Sequence, residues 1–349
     1  MGIPTKPKHC GRTRPRIMKK VKQMKSTTLD HTQFRDLAHR AIVAGGFLII
    51  PARPFSRLGS ALLAGHKVLA SATLGLLMGI PCVADAQEYA FTPIDVPGAT
   101  RTAAAGNSNT AVVGEYDDAD GNTHGFILSQ GVFTTIDLSG ASSTQINGIN
   151  APGRYTGTYF DPDAGRIYAF VSRKGDVTTL DPPGAIQSQG GFLNAQGEVV
   201  GGYRNSNGRR LAFVWRKGVF TTIDPEPAAT LGPVAFGINE KGDIVGTYVD
   251  TDNNRHGFLW TESGYTTLDV PGAVFTIAQG INNAGQIVGL YLATDGTFHG
   301  FVLSDGVYTT VDVPGSSSTS IYSINPKGEI AGEFENADGI HGFLGTPAH

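Results

Sequence analysis

Gly280-Ile-Asn-Asn-Ala-Gly-Gln-Ile-Val-Gly-Leu-Tyr291, followed by His299-Gly-Phe-Val-Leu-Ser-Asp-Gly-Val-Tyr-Thr-Thr-Val-Asp312, is one unit of a pattern that runs from Tyr89 to the C-terminus. Its closing phrase, aromatic-Thr-X-hydrophobic-Asp, ends at Asp95, Asp137, Asp181, Asp224, Asp269 and Asp312, at intervals of 42, 44, 43, 45 and 43 residues. A near-constant period of this size marks a repeat architecture. Each phrase within the unit is four to eight residues long, rich in Val, Ile, Thr, Tyr and Phe, and bounded by Gly, Asn, Asp or Pro. Such phrases read as short strands joined by hairpins, and no helical period is present.

The turns repeat as well. Asn-X-X-Gly stands at 150–153, 194–197, 239–242, 282–285 and 325–328, and Gly131, Gly175, Gly218, Gly264 and Gly306 close a second set. A glycine there supplies the positive φ that a short hairpin needs. Four antiparallel strands per unit in radial repetition describe the blade of a β-propeller. The last unit stops at His341-Gly-Phe-Leu344 without its Thr-Thr-X-Asp strand, while Phe91-Thr-Pro-Ile-Asp95 stands alone at the start of the repeats. Five complete units and one divided unit predict a six-bladed all-β propeller in which the N-terminal strand completes the C-terminal blade. That arrangement removes the exposed edge of an open array, whereas a β-solenoid would need capping repeats.

Charge divides the chain near Ala86. Residues 1–86 hold 14 Lys and Arg against 3 acids, a net of +11, and residues 87–349 hold 13 against 27, a net of −14. Residues 67–86 run from Lys67 through the apolar stretch Val68 to Cys82 and end Val83-Ala-Asp-Ala86. A basic flank, a short apolar core and small residues in an Ala-X-Ala frame make a signal peptide with cleavage after Ala86. A membrane anchor needs roughly 20 apolar residues, and Pro81 breaks this run. Residues 1–66 form a basic extension, read as a misplaced translation start or an extended leader, and residues 87–349 form the propeller. A secreted or periplasmic location follows. Cys10 and Cys82 both precede the cut, which leaves no thiol chemistry in the mature chain. Its acidity argues against nucleic acid as a partner.

His124-Gly-Phe126, Ala169-Phe170, Ala212-Phe213, His256-Gly-Phe258, His299-Gly-Phe301 and His341-Gly-Phe343, with the Thr-Thr-X-Asp and Gly-Ile-Asn phrases around them, resemble the HAF repeats of bacterial extracellular proteins. The resemblance spans nearly all of 87–349. It implies export and repetition, and it brings no catalytic residues.

The longer second turn of each unit is acidic. Asp117 and Asp120, Asp161 and Asp163, and Asp250 and Asp252 sit in loops with some likeness to calcium sites, where a hard cation gathers several oxygens. None has the complete EF-hand spacing, and ordinary hairpin chemistry is the simpler account. No other cofactor is indicated. His124, His256, His299 and His341 share one repeat position with Tyr168 and Leu211, which favours packing or hydrogen bonding at a blade edge over ligation. The recurring Asp137, Asp181, Asp224, Asp269 and Asp312 read as caps bonding the backbone of the turn that follows.

Catalysis or ligand recognition at one place requires unequal blades. The strongest departure is Arg204-Asn-Ser-Asn-Gly-Arg-Arg210, where other blades are acidic, with Arg166 and Arg255 on neighbouring loops. Arg204, Arg209, Arg210, Arg166 and Arg255 therefore form a candidate seat for an anionic ligand such as an acidic sugar, held by forked guanidinium contacts. A solvated turn balancing local charge is the plainer account of the same residues. The expected function is a secreted, non-enzymatic and monomeric scaffold for extracellular carbohydrate or protein. The alternative is a propeller hydrolase or lyase acting on polysaccharide or lactone through carboxylates or a metal. An enzyme needs polar groups converging at the tunnel, and Gly148-Ile-Asn150, Gly237-Ile-Asn239 and Gly280-Ile-Asn282 repeat almost unchanged.

Overall fold

The computed structural model describes residues 88–224 and 232–348; the basic extension and the signal peptide lie outside them. Every described element is a β-strand, and the strands form six four-stranded antiparallel sheets arranged as the blades of a β-propeller. Blades 1 to 5 cover 101–136, 143–180, 185–223, 234–268 and 275–311, each ordered from inner to outer strand along the chain. Blade 6 takes its inner three strands from 318–347. Its outer strand is Tyr89–Ile94, which pairs antiparallel with Gly339–Pro347 and sets Phe91 opposite Gly345.

The repeated letters of the sequence are packing instructions. Phe126, Phe170, Phe213, Phe258, Phe301 and Phe343, one from each third strand, are essentially fully buried. Each lies in register with a glycine on the second strand, as Gly114 opposite Phe126 and Gly157 opposite Phe170. The glycine is obligatory there. A Cβ on Gly157 would stand 1.9 Å from the Gln145 carbonyl oxygen and 2.8 Å from the Phe170 ring. Burying a phenylalanine contributes about 1.5–3 kcal/mol, so six such positions form a principal part of the core.

The turns follow their chemistry. Gln130-Gly131, Lys174-Gly175, Lys217-Gly218 and Asp305-Gly306 all have φ between 49° and 90° at both positions, the mirror-image geometry that matches the twist of two hairpin strands. Between blades, the Val96, Leu138, Val270 and Val313 amides donate to Thr102, Thr144, Thr276 and Thr319 on the next inner strand. In these four blades the Thr near the start of the inner strand thereby anchors the linker before it.

Candidate functional site

Because strands alternate in direction, the blade-to-blade linkers and the acidic second turns lie on one face of the ring. The Asn-X-X-Gly turns and the tight turns lie on the other. On this second face the asparagines join the blades. Asn150 Nδ2 donates to the Asn194 carbonyl at 2.9 Å, Asn194 to that of Asn239 at 3.3 Å, Asn239 to that of Asn282 at 3.4 Å and Asn282 to that of Asn325 at 3.3 Å. Each Oδ1 also accepts its own turn's amide, as Asn150 does from Arg154 at 3.0 Å. The asparagine ring surrounds a cavity of about 120 Å³. That is below the roughly 300–1,000 Å³ of typical small-molecule pockets.

The linker face carries the charged groups. Asp137 accepts from His124 Nδ1 at 2.9 Å, Asp269 from His256 at 2.9 Å, Asp312 from His299 at 2.7 Å and Asp95 from His341 at 3.0 Å. Each imidazole also lies against an aromatic ring of the second strand, with centroids 5.1 to 5.3 Å apart. These aspartates were expected to cap the following turn; instead their carboxylates reach sideways to a donor on the third strand. Blades 2 and 3 have Tyr168 and Leu211 in place of the histidine. There Arg166 Nη2 reaches Asp181 at 2.9 Å, and Arg209 grips Asp224 with both terminal nitrogens at 2.7 and 2.9 Å. Arg166 further donates to the Ile186 and Ala185 carbonyls and covers the Tyr168 ring at 4.7 Å. Two of the five candidate arginines thus replace a histidine in a clamp that every blade possesses.

The acidic second turns engage their own backbone. Asp161 Oδ1 accepts the Asp163 and Ala164 amides, and Asp250 accepts the Asp252 and Asn254 amides together with His256 Nε2. Asp117 accepts from Thr123, while Asp120, Asp163 and Asp252 stand exposed. Asp118 accepts from Asn122 and His124. Bonds from the Asn122 side chain and amide, then from His124, hold its carboxyl well below the usual range. For His124 and His256 partial burial opposes the charged form, but bonds to two aspartates each outweigh it and raise the pKa above 6.5. Among the described residues no three His, Cys, Asp or Glu side chains converge as a metal would require.

The other three candidate arginines come together. Arg204 and Arg210 are direct cross-strand partners in blade 3, and Arg255 holds in blade 4 the repeat position that Arg210 holds in blade 3. Like charges directly opposite on neighbouring strands repel. Arg210 is only 3% exposed, and burial, with the charges of Arg255 and Arg204, lowers its pKa to about 9. Burial also lowers that of Arg255, whose Nη1 is buried and meets no hydrogen-bond acceptor among the described residues. The Arg255 guanidinium stands 6.0 Å from the centroid of Phe275, whose ring in turn lies 6.0 Å from that of Phe298. Both rings are partly exposed.

One polar cluster lies outside the repeat pattern. Arg101, on the inner strand of blade 1, donates to Glu115 Oε1 at 2.8 Å and to Glu333 Oε2 of blade 6 at 2.9 Å, and Tyr322 donates to Glu333 Oε1 at 2.7 Å. Burial opposes the charge on Arg101, yet the two carboxylates raise its pKa; burial and Glu333 push the Tyr322 hydroxyl well above 10. The inner strands therefore do differ. A bulge in several of them admits one variable residue before the repeated phrase, Asn147 in blade 2, Gln279 in blade 5 and Tyr322 in blade 6. The signal was present in Glu115 and Glu333, which stand where the other blades have Thr158, Gly202, Thr247 and Leu290.

No family model and no curated protein sequence matches this chain. Solved structures with a similar course of the chain include AofleA from Arthrobotrys oligospora, 12% identical over 76% of this chain and 94% of that one, with a TM-score of 0.46. The fucose-specific lectin from Aleuria aurantia is 14% identical over 70% and 91%, with a TM-score of 0.46. A streptogramin B lyase is 13% identical over 73% and 97%, with a TM-score of 0.42. At these identities and scores the likenesses bear on neither ligand nor chemistry.

Proposed function

We propose that this chain is an exported binding propeller for acidic carbohydrate, and that Arg204, Arg210 and Arg255 seat the ligand's carboxylate at the boundary of blades 3 and 4. The observation that carries the reading is the gathering of three guanidinium groups from two blades, two of them on directly opposed strand positions and one almost wholly buried. A guanidinium fork matches a carboxylate with two parallel bonds. Phe275 and Phe298 beside Arg255 offer partly exposed apolar faces to the C–H side of a sugar ring. Arg166 and Arg209 stand apart from this role, since each holds its own blade's aspartate.

A glycan array bearing neutral, uronic and sialic acid sugars tests the reading, with the unaltered protein beside Arg255→Gln and Arg204→Gln. Acidic glycans should be retained by the unaltered protein and lost by both variants, while Arg166→Gln keeps them. Equal retention of acidic glycans by Arg255→Gln would remove the cluster from the site.

A further inference from the structure

We propose a second anion-binding surface, on the opposite face of the same two blades, where the tight turns of blades 2 and 3 form a basic strip that docks a linear acidic polysaccharide. The turns are Arg173-Lys174-Gly175 and Arg216-Lys217-Gly218, and all four basic side chains are exposed. At the matching positions blades 1, 4 and 5 carry Ser129-Gln130, Thr261-Glu262 and Ser304-Asp305. Lys174 and Lys217 adopt φ of 55° and 49°, a conformation in which Asn, Asp or Gly is the favoured residue. Turn propensity therefore does not account for a lysine in both places.

Charge is concentrated on this sector. Of the 13 Lys and Arg in residues 87–349, Arg154, Arg173, Lys174, Arg216 and Lys217 lie on this face of blades 2 and 3, against Asp176 and Glu198. Every other sector of the ring is net negative. Arg154 extends the strip, its guanidinium lying over the Asn194–Gly197 turn of blade 3. Glu198 neutralises Arg216 at 2.8 Å and Asp176 stands opposite Arg173, so the strip has a moderate charge, spread over two turns. Just past each lysine comes an exposed valine, Val177 at 43% and Val219 at 64%. Cations alternating with apolar contacts suit a uronic acid chain, which presents one carboxylate per sugar beside C–H surface. They suit nucleic acid less, because the strip has no exposed aromatic ring for base stacking and the flanking sectors repel a dense line of phosphates.

The strip rests on its own charge geometry and does not require the guanidinium cluster to bind anything. The test is the anisotropy of fluorescein-labelled polygalacturonate titrated with the full chain at low salt and at 200 mM NaCl. The unaltered protein is compared with the double variant Lys174→Gln/Lys217→Gln, glutamine being what blade 1 carries in the same backbone conformation at Gln130. Loss of two charge contacts should weaken binding about tenfold and flatten its salt dependence, with the thermal midpoint unchanged. Affinity within twofold of the unaltered protein, or displacement of the polymer by single-stranded DNA in preference to unlabelled polygalacturonate, overturns the proposal. Arg255→Gln separates the two sites: if it alone loses binding, the strip falls and the cluster stands, and if the lysine variant alone loses binding, the reverse holds.

Discussion

Arg101 Nη2 meets Glu333 Oε2 at 2.9 Å across the seam between the first blade and the last, and the same guanidinium holds Glu115 at 2.8 Å. All three residues are less than 10% exposed. Removing one partner of a buried charge group strands the others, at a cost of about 3–5 kcal/mol. Arg101→Ala should therefore lower the urea midpoint strongly, while the triple change Arg101→Met/Glu115→Gln/Glu333→Gln recovers most of the loss. An alanine variant within 1 kcal/mol of the unaltered protein would show that the seam does not depend on these charges.

The strand Tyr89–Ile94 supplies the outer edge of blade 6, with the Phe91 ring edge-on to Phe343 at 5.5 Å between centroids. Deleting residues 87–97 should leave Gly339–Pro347 with an unpaired ladder, a template for association between chains. A fall in the thermal midpoint and concentration-dependent aggregation are expected. A truncated chain that melts as a monomer at the original temperature would show that the strand is dispensable.

Period and phase made the fold legible before any coordinate, because each repeated letter answers one packing need: Phe fills a blade, Gly makes room for it, Asn joins turns. The site was legible only in part. Arg204, Arg210 and Arg255 were selected as departures from the pattern and do assemble. Arg166 and Arg209 departed as visibly, but for a different reason: they restore, from two positions earlier, the aspartate contact that Tyr168 and Leu211 cannot make. Arg101 and Glu333 are 232 residues apart, and only closure of the ring brings them together. The counterparts of a residue in other blades carry no trace of its neighbours across a seam.

The two kinds of glycine should respond oppositely to substitution. Gly157→Ala drives a Cβ to 1.9 Å from a backbone oxygen, with no flexible side chain to yield, and should cost about 3 kcal/mol or more. Gly175→Asn, in an open turn with φ of 89°, should stay within about 0.5 kcal/mol, since asparagine tolerates that conformation. Chemical denaturation of both variants checks the contrast, and similar losses would contradict it.

Calcium should not stabilise the domain. The turn carboxylates of Asp161 and Asp250 are already occupied by their own backbone amides, and a cation would have to displace those bonds. Any ligand of the folded state raises its melting temperature by mass action. Scanning calorimetry in millimolar calcium and in chelator should give one midpoint, and a rise with calcium would assign the acidic turns as metal sites.

Stability should peak in mildly acidic solution. His124 and His256 have pKa values raised above 6.5 in the folded protein, so the stability they contribute is complete below that pH and is lost as pH rises through the folded value. Asp118 and Asp250 shift the other way from 3.8. Asp250 falls to about 2 because bonds from Asn254 and His256 outweigh its partial desolvation, so the aspartates' contribution is present above 3.8 and is lost on further acidification. The thermal midpoint should therefore be highest between about pH 4 and 6.5 and decline toward pH 8. His124→Gln/His256→Gln should abolish the alkaline decline and leave the acid limb in place. A midpoint that rises from pH 6 to pH 8 in the unaltered protein would show that the imidazoles are not charged in their clamps.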